Sequence, residues 1–155
     1  VVCHDETLNR MAGNQLRIPD ATWAEISAVE LPGNHRVPRL EEVIELARRT
    51  NSGLYIELKA AEAAESTWQI LREQDFRFAV IGSFNADWIA KLRQSKCSYP
   101  LSVLVPIGVD PFDYSSVAQP DIIHLCWKRA LAAPHQLVTS EILDRCHQHG
   151  IALVT

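Results

Sequence analysis

The stretch LYIELKAAEAAESTWQILREQDFRFAVIGSFN, residues 54–85, decides the architecture. Leu54–Ile56 and Phe78–Ile81 are short apolar runs without polar alternation, the pattern of strands covered on both faces. Between them Ala60–Gln74 is rich in Ala and Glu, with Ile70 and Leu71 apolar, which predicts a helix. A strand, a helix and a strand within this length form a βαβ unit, which joins parallel neighbours.

The same rhythm extends in both directions. Strand-like runs recur at Val1–Cys3, Leu101–Val105, Ile122–Leu125 and Ile151–Val154. The starts at 54, 78, 101, 122 and 151 are 24, 23, 21 and 29 residues apart. Helical signals fall between the runs. Leu40, Val43, Ile44 and Ala47 repeat at helical spacing before Asn51-Ser52-Gly53, and Thr22 with Glu25 makes a capping box for a short helix carrying Trp23 and Ile26. Asn85 is placed to cap Ala86–Gln94, and Thr139 to cap Ser140–His149 before Gly150. Six parallel strands suit an open doubly wound sheet or a portion of a closed eight-stranded barrel. The strand-to-helix turns carry neither GxGxxG nor GxxxxGK[ST], so a phosphate-cradling loop gives no support to the open sheet.

Composition sets the outer limits. At 155 residues, with 47% hydrophobic and 22% charged, the chain is one globular domain or a piece of one. It starts at Val1 and stops in the strand-like Ile151–Thr155, which predicts an interior segment of a longer chain. No apolar run reaches the length of a membrane span, and no secretory signal is visible. A net charge of −4 without a basic block disfavours nucleic acid as a partner. The cysteines at 3, 97, 126 and 146 form no CxxC pair, so reduced thiols and a cytoplasmic setting are expected.

Polar residues gather at the carboxyl ends of the expected strands: His4 and Asp5 after VVC, Glu57 and Lys59 after LYI, Ser83 after AVIG, and His124 near the end of IIHL. Parallel strands bring those ends to one face, where ligands bind in both architectures. Glu57 and Lys59 are two apart and point to the same side. Cys3 points away from its neighbour His4, which argues against a Cys-His nucleophile pair. His147 and His149, beside Cys146, sit in a last helical turn, where the helix dipole welcomes them without a metal.

Four stretches resemble, in order and spacing, the glycerophosphodiester phosphodiesterase family. VVCHDETLNR resembles its His-Asp strand end, VPRLEEVIEL its Pro-x-Leu-x-Glu helix start, LYIELK its Glu-Leu-Lys strand end, and VIGSFNADWIAKLR its Ser-Phe turn. The resemblance covers Val1 to about Arg93; beyond it the chain adds compatible strands and helices. It implies strands three to eight of a (β/α)₈ barrel, with 1–155 a single incomplete domain. It also implies metal-dependent hydrolysis of glycerophosphodiesters to glycerol 3-phosphate and an alcohol. The family's first-strand His-Arg-Gly and second-strand Glu-x-Asp would precede Val1.

On that resemblance His4 is the general acid for the leaving alcohol, a task imidazole performs because it titrates near neutral pH. Glu57 is a carboxylate ligand of Ca²⁺ or Mg²⁺. Lys59 offsets charge on the transition state, while Ser83 and Phe84 lie near the substrate. Trp127, just past the Ile122–Leu125 strand, is read from its position as lining the mouth of the site. Asp5 orients the backbone or the neighbouring imidazole, and Arg10 ties down the turn. The partner is a small glycerophosphodiester, and the weakly apolar helices favour a water-soluble one. The headgroup stays open.

The competing reading is a non-catalytic α/β module that binds a small phosphorylated ligand or a protein partner. Either way, Val1–Cys3 and Ile151–Val154 would leave strand edges open to self-association.

Overall fold

The computed structural model describes residues 1–126 and 138–155, which form two compact units, Val1–Ser52 and Gly53–Thr155. In the second unit five strands make one sheet: β1 (Leu54–Glu57), β2 (Ala79–Ser83), β3 (Leu101–Val105), β4 (Ile122–Leu125) and β5 (Ala152–Val154). They lie in chain order and every neighbouring pair is parallel. Helices α4 (Ala63–Glu73), α5 (Ala86–Gln94), α6 (Pro111–Ser115) and α7 (Ser140–His149) alternate with them. This is the parallel α/β arrangement expected, with β4 followed by the undescribed stretch before α7.

Register divides the side chains between two faces, because alternate residues of a strand point oppositely and paired residues share a side. Glu57 pairs with Gly82, Gly82 with Ser102, Ser102 with Ile122 and Ile122 with Ala152, so these five make one row of one face. Tyr55, Leu104, His124 and Val154 share that face, which is only partly covered. The opposite face carries Ile81, Leu101, Val103 and Ile123, all fully buried, against which α5 and α6 pack. Each such side chain contributes about 1.5–3 kcal/mol of transfer free energy. The result is one apolar face that holds the helices and one that is free to carry polar groups.

Val1–Cys3 does not form the sixth strand that its composition predicts. Its backbone is irregular, and Val2 N–H donates to the carbonyl of Pro38 at 2.9 Å rather than to a ladder. A β-branched run becomes a strand only where a neighbour supplies pairing groups. The first unit holds α1 (Asn9–Ala12), α2 (Trp23–Ser27) and α3 (Leu40–Thr50), and Leu8, Ile26 and Val37 centre its core.

The expected stop signals are present. Thr22 and Glu25 form the capping box, Asn85 accepts from the amides of Asp87 and Trp88, Thr139 accepts from Ile142, and Gly150 closes α7 in the left-handed conformation. Helix α3 closes at the expected Asn51-Ser52-Gly53 signal, with Asn51 in the left-handed conformation at φ 51°.

Gly82 allows a close crossing. A Cβ there would sit 2.8 Å from Leu104 Cδ1 and 3.0 Å from the Tyr55 hydroxyl. Its backbone is compatible with alanine, so only space is at stake. Gly82→Ala should lower unfolding stability by about 1–3 kcal/mol through overpacking. Urea denaturation of the purified protein checks this, and an unchanged midpoint would mean that Tyr55 moves aside at no cost.

Candidate active site

In the first unit three side chains form a chain of charge-assisted contacts. His4 Nδ1 lies 2.7 Å from Asp5 Oδ1, and Arg10 Nε donates to Asp5 Oδ2 at 2.6 Å. An ionised carboxylate only accepts, so Nδ1 carries a proton and the imidazole presents Nε2 outward. His4 is 71% exposed, whereas Asp5 is 25% exposed. The Arg10 guanidinium, followed by the His4 contact, holds the Asp5 carboxyl down at about 2, against the opposing effect of burial. The turn is tightened further by Cys3 Sγ, 3.4 Å from the Asp5 carbonyl.

A hollow of about 510 Å³ also lies in this unit, lined by Trp23, Arg36, Arg39, Glu41 and Glu42. Arg39 stacks on Trp23 at 4.6 Å, while Arg36 is engaged by Glu42. Trp23 and three residues of the VPRLEEVIEL stretch line it, whereas His4, Glu57, Lys59, Ser83 and Phe84 do not.

In the second unit Glu57 ends β1 on the partly open face, and Lys59 Nζ donates to its Oε1 at 2.5 Å. Leu58 between them is buried, so the two polar heads emerge on one side while the intervening side chain anchors the segment. Both heads stay partly solvated, 25% and 36% exposed, so the pair adds little to folding. The pair stands at the carboxyl end of the sheet.

Ser83 and Phe84 are placed differently from each other. Ser83 is 1% exposed and lies in register with Val103, on the helix-packed face rather than beside Glu57. Its hydroxyl donates to the Leu58 carbonyl at 3.2 Å and accepts from the Asn85 amide at 3.0 Å, tying the end of β2 to the segment between Glu57 and Lys59. Phe84 is exposed, and its carbonyl accepts from the Tyr114 hydroxyl at 2.6 Å. Trp127 lies outside the described residues.

Three residues without a sequence-derived role join this face. Tyr55 donates its hydroxyl to Ser102 Oγ at 2.6 Å, and His124 Nδ1 lies 3.1 Å from the same hydroxyl. Burial pushes the Tyr55 phenol up to about 12, with Ser102 opposing. Burial lowers His124, with Glu57 pulling the other way, and raises the Cys126 thiol, with Glu57 adding to the rise. Tyr55 and Ser102 are polar groups inside apolar strand runs, and the cost of burying such groups alone was the available signal.

A protein-family model matches residues 1–155, and its description is the glycerophosphoryl diester phosphodiesterase family. The chain belongs to that family. Solved structures share its fold. A glycerophosphodiester phosphodiesterase from Agrobacterium tumefaciens aligns with TM-score 0.75 at 23% identity, over 97% of this chain and 65% of that one. One from Thermotoga maritima aligns with TM-score 0.72 at 23% identity, over 99% and 64%. The chain thus spans just under two thirds of either relative's length, and its sheet is a portion of their barrel. A comparison with curated proteins gave no match.

Asp5 should titrate near 2 when its carboxyl carbon is followed by NMR, against 3.8 for the free group. Since its folded value lies below its unfolded one, the contribution of this contact is complete above about pH 4 and is lost as pH falls through 2. Arg10→Ala should return the midpoint toward 3.8, and a midpoint that stays near 2 in that variant would show that Arg10 is not the main cause.

Proposed function

We propose that this chain carries part of the catalytic machinery of an enzyme that hydrolyses glycerophosphodiesters to glycerol 3-phosphate and an alcohol. The observation that carries the reading is the Glu57–Lys59 pair at the carboxyl end of β1, in a chain matched along its whole length by the family. A phosphodiester bears one negative charge and gains more as water attacks phosphorus. A fixed ammonium offsets that gain, and Glu57 holds Lys59 in place for it. Ser83 and Asn85 act on this pair through the backbone, by fixing Leu58.

His4 supplies the proton for the leaving group. Water gives up a proton to solvent as its oxygen joins phosphorus, the phosphorus–alcohol oxygen bond breaks, and the departing oxygen takes a proton from imidazole Nε2, which the ring regains from solvent. Asp5 supports this step twice: it fixes Nδ1 as a donor, which turns Nε2 outward, and it stabilises the charged ring that precedes transfer. Arg10 keeps Asp5 ionised. Phe84, exposed just after β2, offers the substrate an apolar surface.

Calcium or magnesium takes six or more oxygen ligands. Glu57 is the one carboxylate on its sheet face, and no group of three His, Cys, Asp or Glu among the described residues can hold an ion. The described residues therefore do not make a metal site by themselves. Glu57 would contribute one ligand, and no step above depends on the ion. All four cysteines are free, which supports the reading of a reducing, cytoplasmic setting. Self-association through the edges of the sheet is part of the same reading.

Two substitutions in the full-length protein test these roles. His4→Ala should slow cleavage of a diester with an alkyl alcohol leaving group by about 10²–10⁴. The same variant should cleave a p-nitrophenyl diester nearly normally, because that leaving group needs no proton; equal losses on both would remove the acid role. Lys59→Ala should lower kcat by about 10²–10³ with little change in KM. A change confined to KM would make Lys59 a ground-state binding residue. If the unsubstituted protein cleaves neither diester, the functional reading itself falls.

A further inference from the structure

One hydrogen-bonded chain on the open face has no part in the roles assigned so far. Tyr55 on β1 reaches across Gly82 on β2 to Ser102 on β3, and His124 on β4 meets the same hydroxyl. Three strands are thereby connected by two contacts around one phenol oxygen.

Proton counting fixes the polarity of the chain. A phenol has one proton, and Tyr55 donates it to Ser102 Oγ at 2.6 Å. The oxygen then accepts from His124, so Nδ1 carries the proton of a neutral ring and Nε2 keeps its lone pair. The two rings meet edge to face, with centroids 5.3 Å apart and planes at 83°, which limits rotation of the imidazole. Among the described residues the one hydrogen bond of His124 is that of Nδ1, which leaves Nε2 without one. An imidazole with both tautomer and ring plane set, and one acceptor left over, is prepared to meet a donor.

The position of that acceptor narrows what the donor can be. His124 pairs with Leu104, two residues past the row that contains Glu57, and Lys59 is likewise two residues past Glu57. Near an ionised diester an acceptor lone pair is repelled by the phosphate oxygens. It is satisfied instead by a hydroxyl, and the glycerol hydroxyls are donors that every glycerophosphodiester carries.

We infer that His124 is a substrate-contact residue whose Nε2 accepts a hydrogen bond from a hydroxyl of the glycerol moiety, with Tyr55 and Ser102 setting its tautomer. The inference rests on the proposed function and adds to it a determinant of substrate choice. The chain selects diesters that carry a hydroxyl beside the phosphate.

The experiment compares glycerophosphocholine with propylphosphocholine, the same diester without hydroxyls, using the full-length protein and two variants. In His124→Asn the amide can replace Nδ1 toward Tyr55 but leaves nothing at Nε2, whereas His124→Gln places an amide near Nε2. The ratio of kcat/KM values for the two substrates should fall roughly tenfold in His124→Asn and be largely retained in His124→Gln. A wild-type ratio in His124→Asn, or equal loss on both substrates, overturns the inference and leaves the hydrolase reading standing. Cleavage of neither substrate by the unsubstituted protein removes both. A second measurement needs no variant. Imidazole ¹⁵N shifts should show the proton on Nδ1, and glycerol 3-phosphate should move the His124 Nε2 resonance where inorganic phosphate does not. An equal response to both, or a proton found on Nε2, also overturns it.

Discussion

Parallel pairing in fixed register is the constraint on which the second unit depends. It decides that Ile81, Leu101, Val103 and Ile123 share one face while Tyr55, Glu57, Gly82, Ser102 and His124 share the other. Apolar burial on the first face is what keeps the helices in place. That anchoring leaves the second face able to hold polar groups that contribute little to stability. Glu57 and Lys59 illustrate the division: their partly solvated contact is a weak stabiliser, yet it holds two polar heads together at the carboxyl end of the sheet.

The first unit achieves comparable order without a sheet. Its turn at residues 4–10 is held by one carboxylate shared between an imidazole and a guanidinium. Both oxygens of Asp5 accept hydrogen bonds, from Arg10 and His4, which stabilise its ionised form and raise its acidity. Fixing a side chain as exposed as that of His4 through its neighbours is a way to orient a mobile group at the surface.

Much of this was legible in the residues themselves. The strands starting near 54, 78, 101, 122 and 151 announce themselves as apolar runs bounded by helix caps, and Thr22, Asn85, Thr139 and Gly150 cap as their chemistry suggests. Val1–Cys3 has the same composition without a partner, and pairing is a property of two segments. Helix α6 carries a comparable local signal, since Asp110 caps it and Pro111 opens it. Ser83 shows a deeper limit. Its place next to Phe84 suggests the substrate side, but only the ladder reveals that Gly82, not Ser83, stands in line with Glu57. The Tyr55–Ser102–His124 chain spans four strands, and nothing local to any one of them points to the others.

The passage of Tyr55 over Gly82 also acts as a pin against sliding. Were β2 to shift by a single position, Ile81 or Ser83 would come beneath the phenol, and either side chain would obstruct its path to Ser102. Backbone ladders alone tolerate such slippage wherever both alignments bury similar residues. In a sheet of strands this short, one vacant Cβ position beneath one long aromatic side chain excludes the misaligned pairing that uniform apolar strands would otherwise permit.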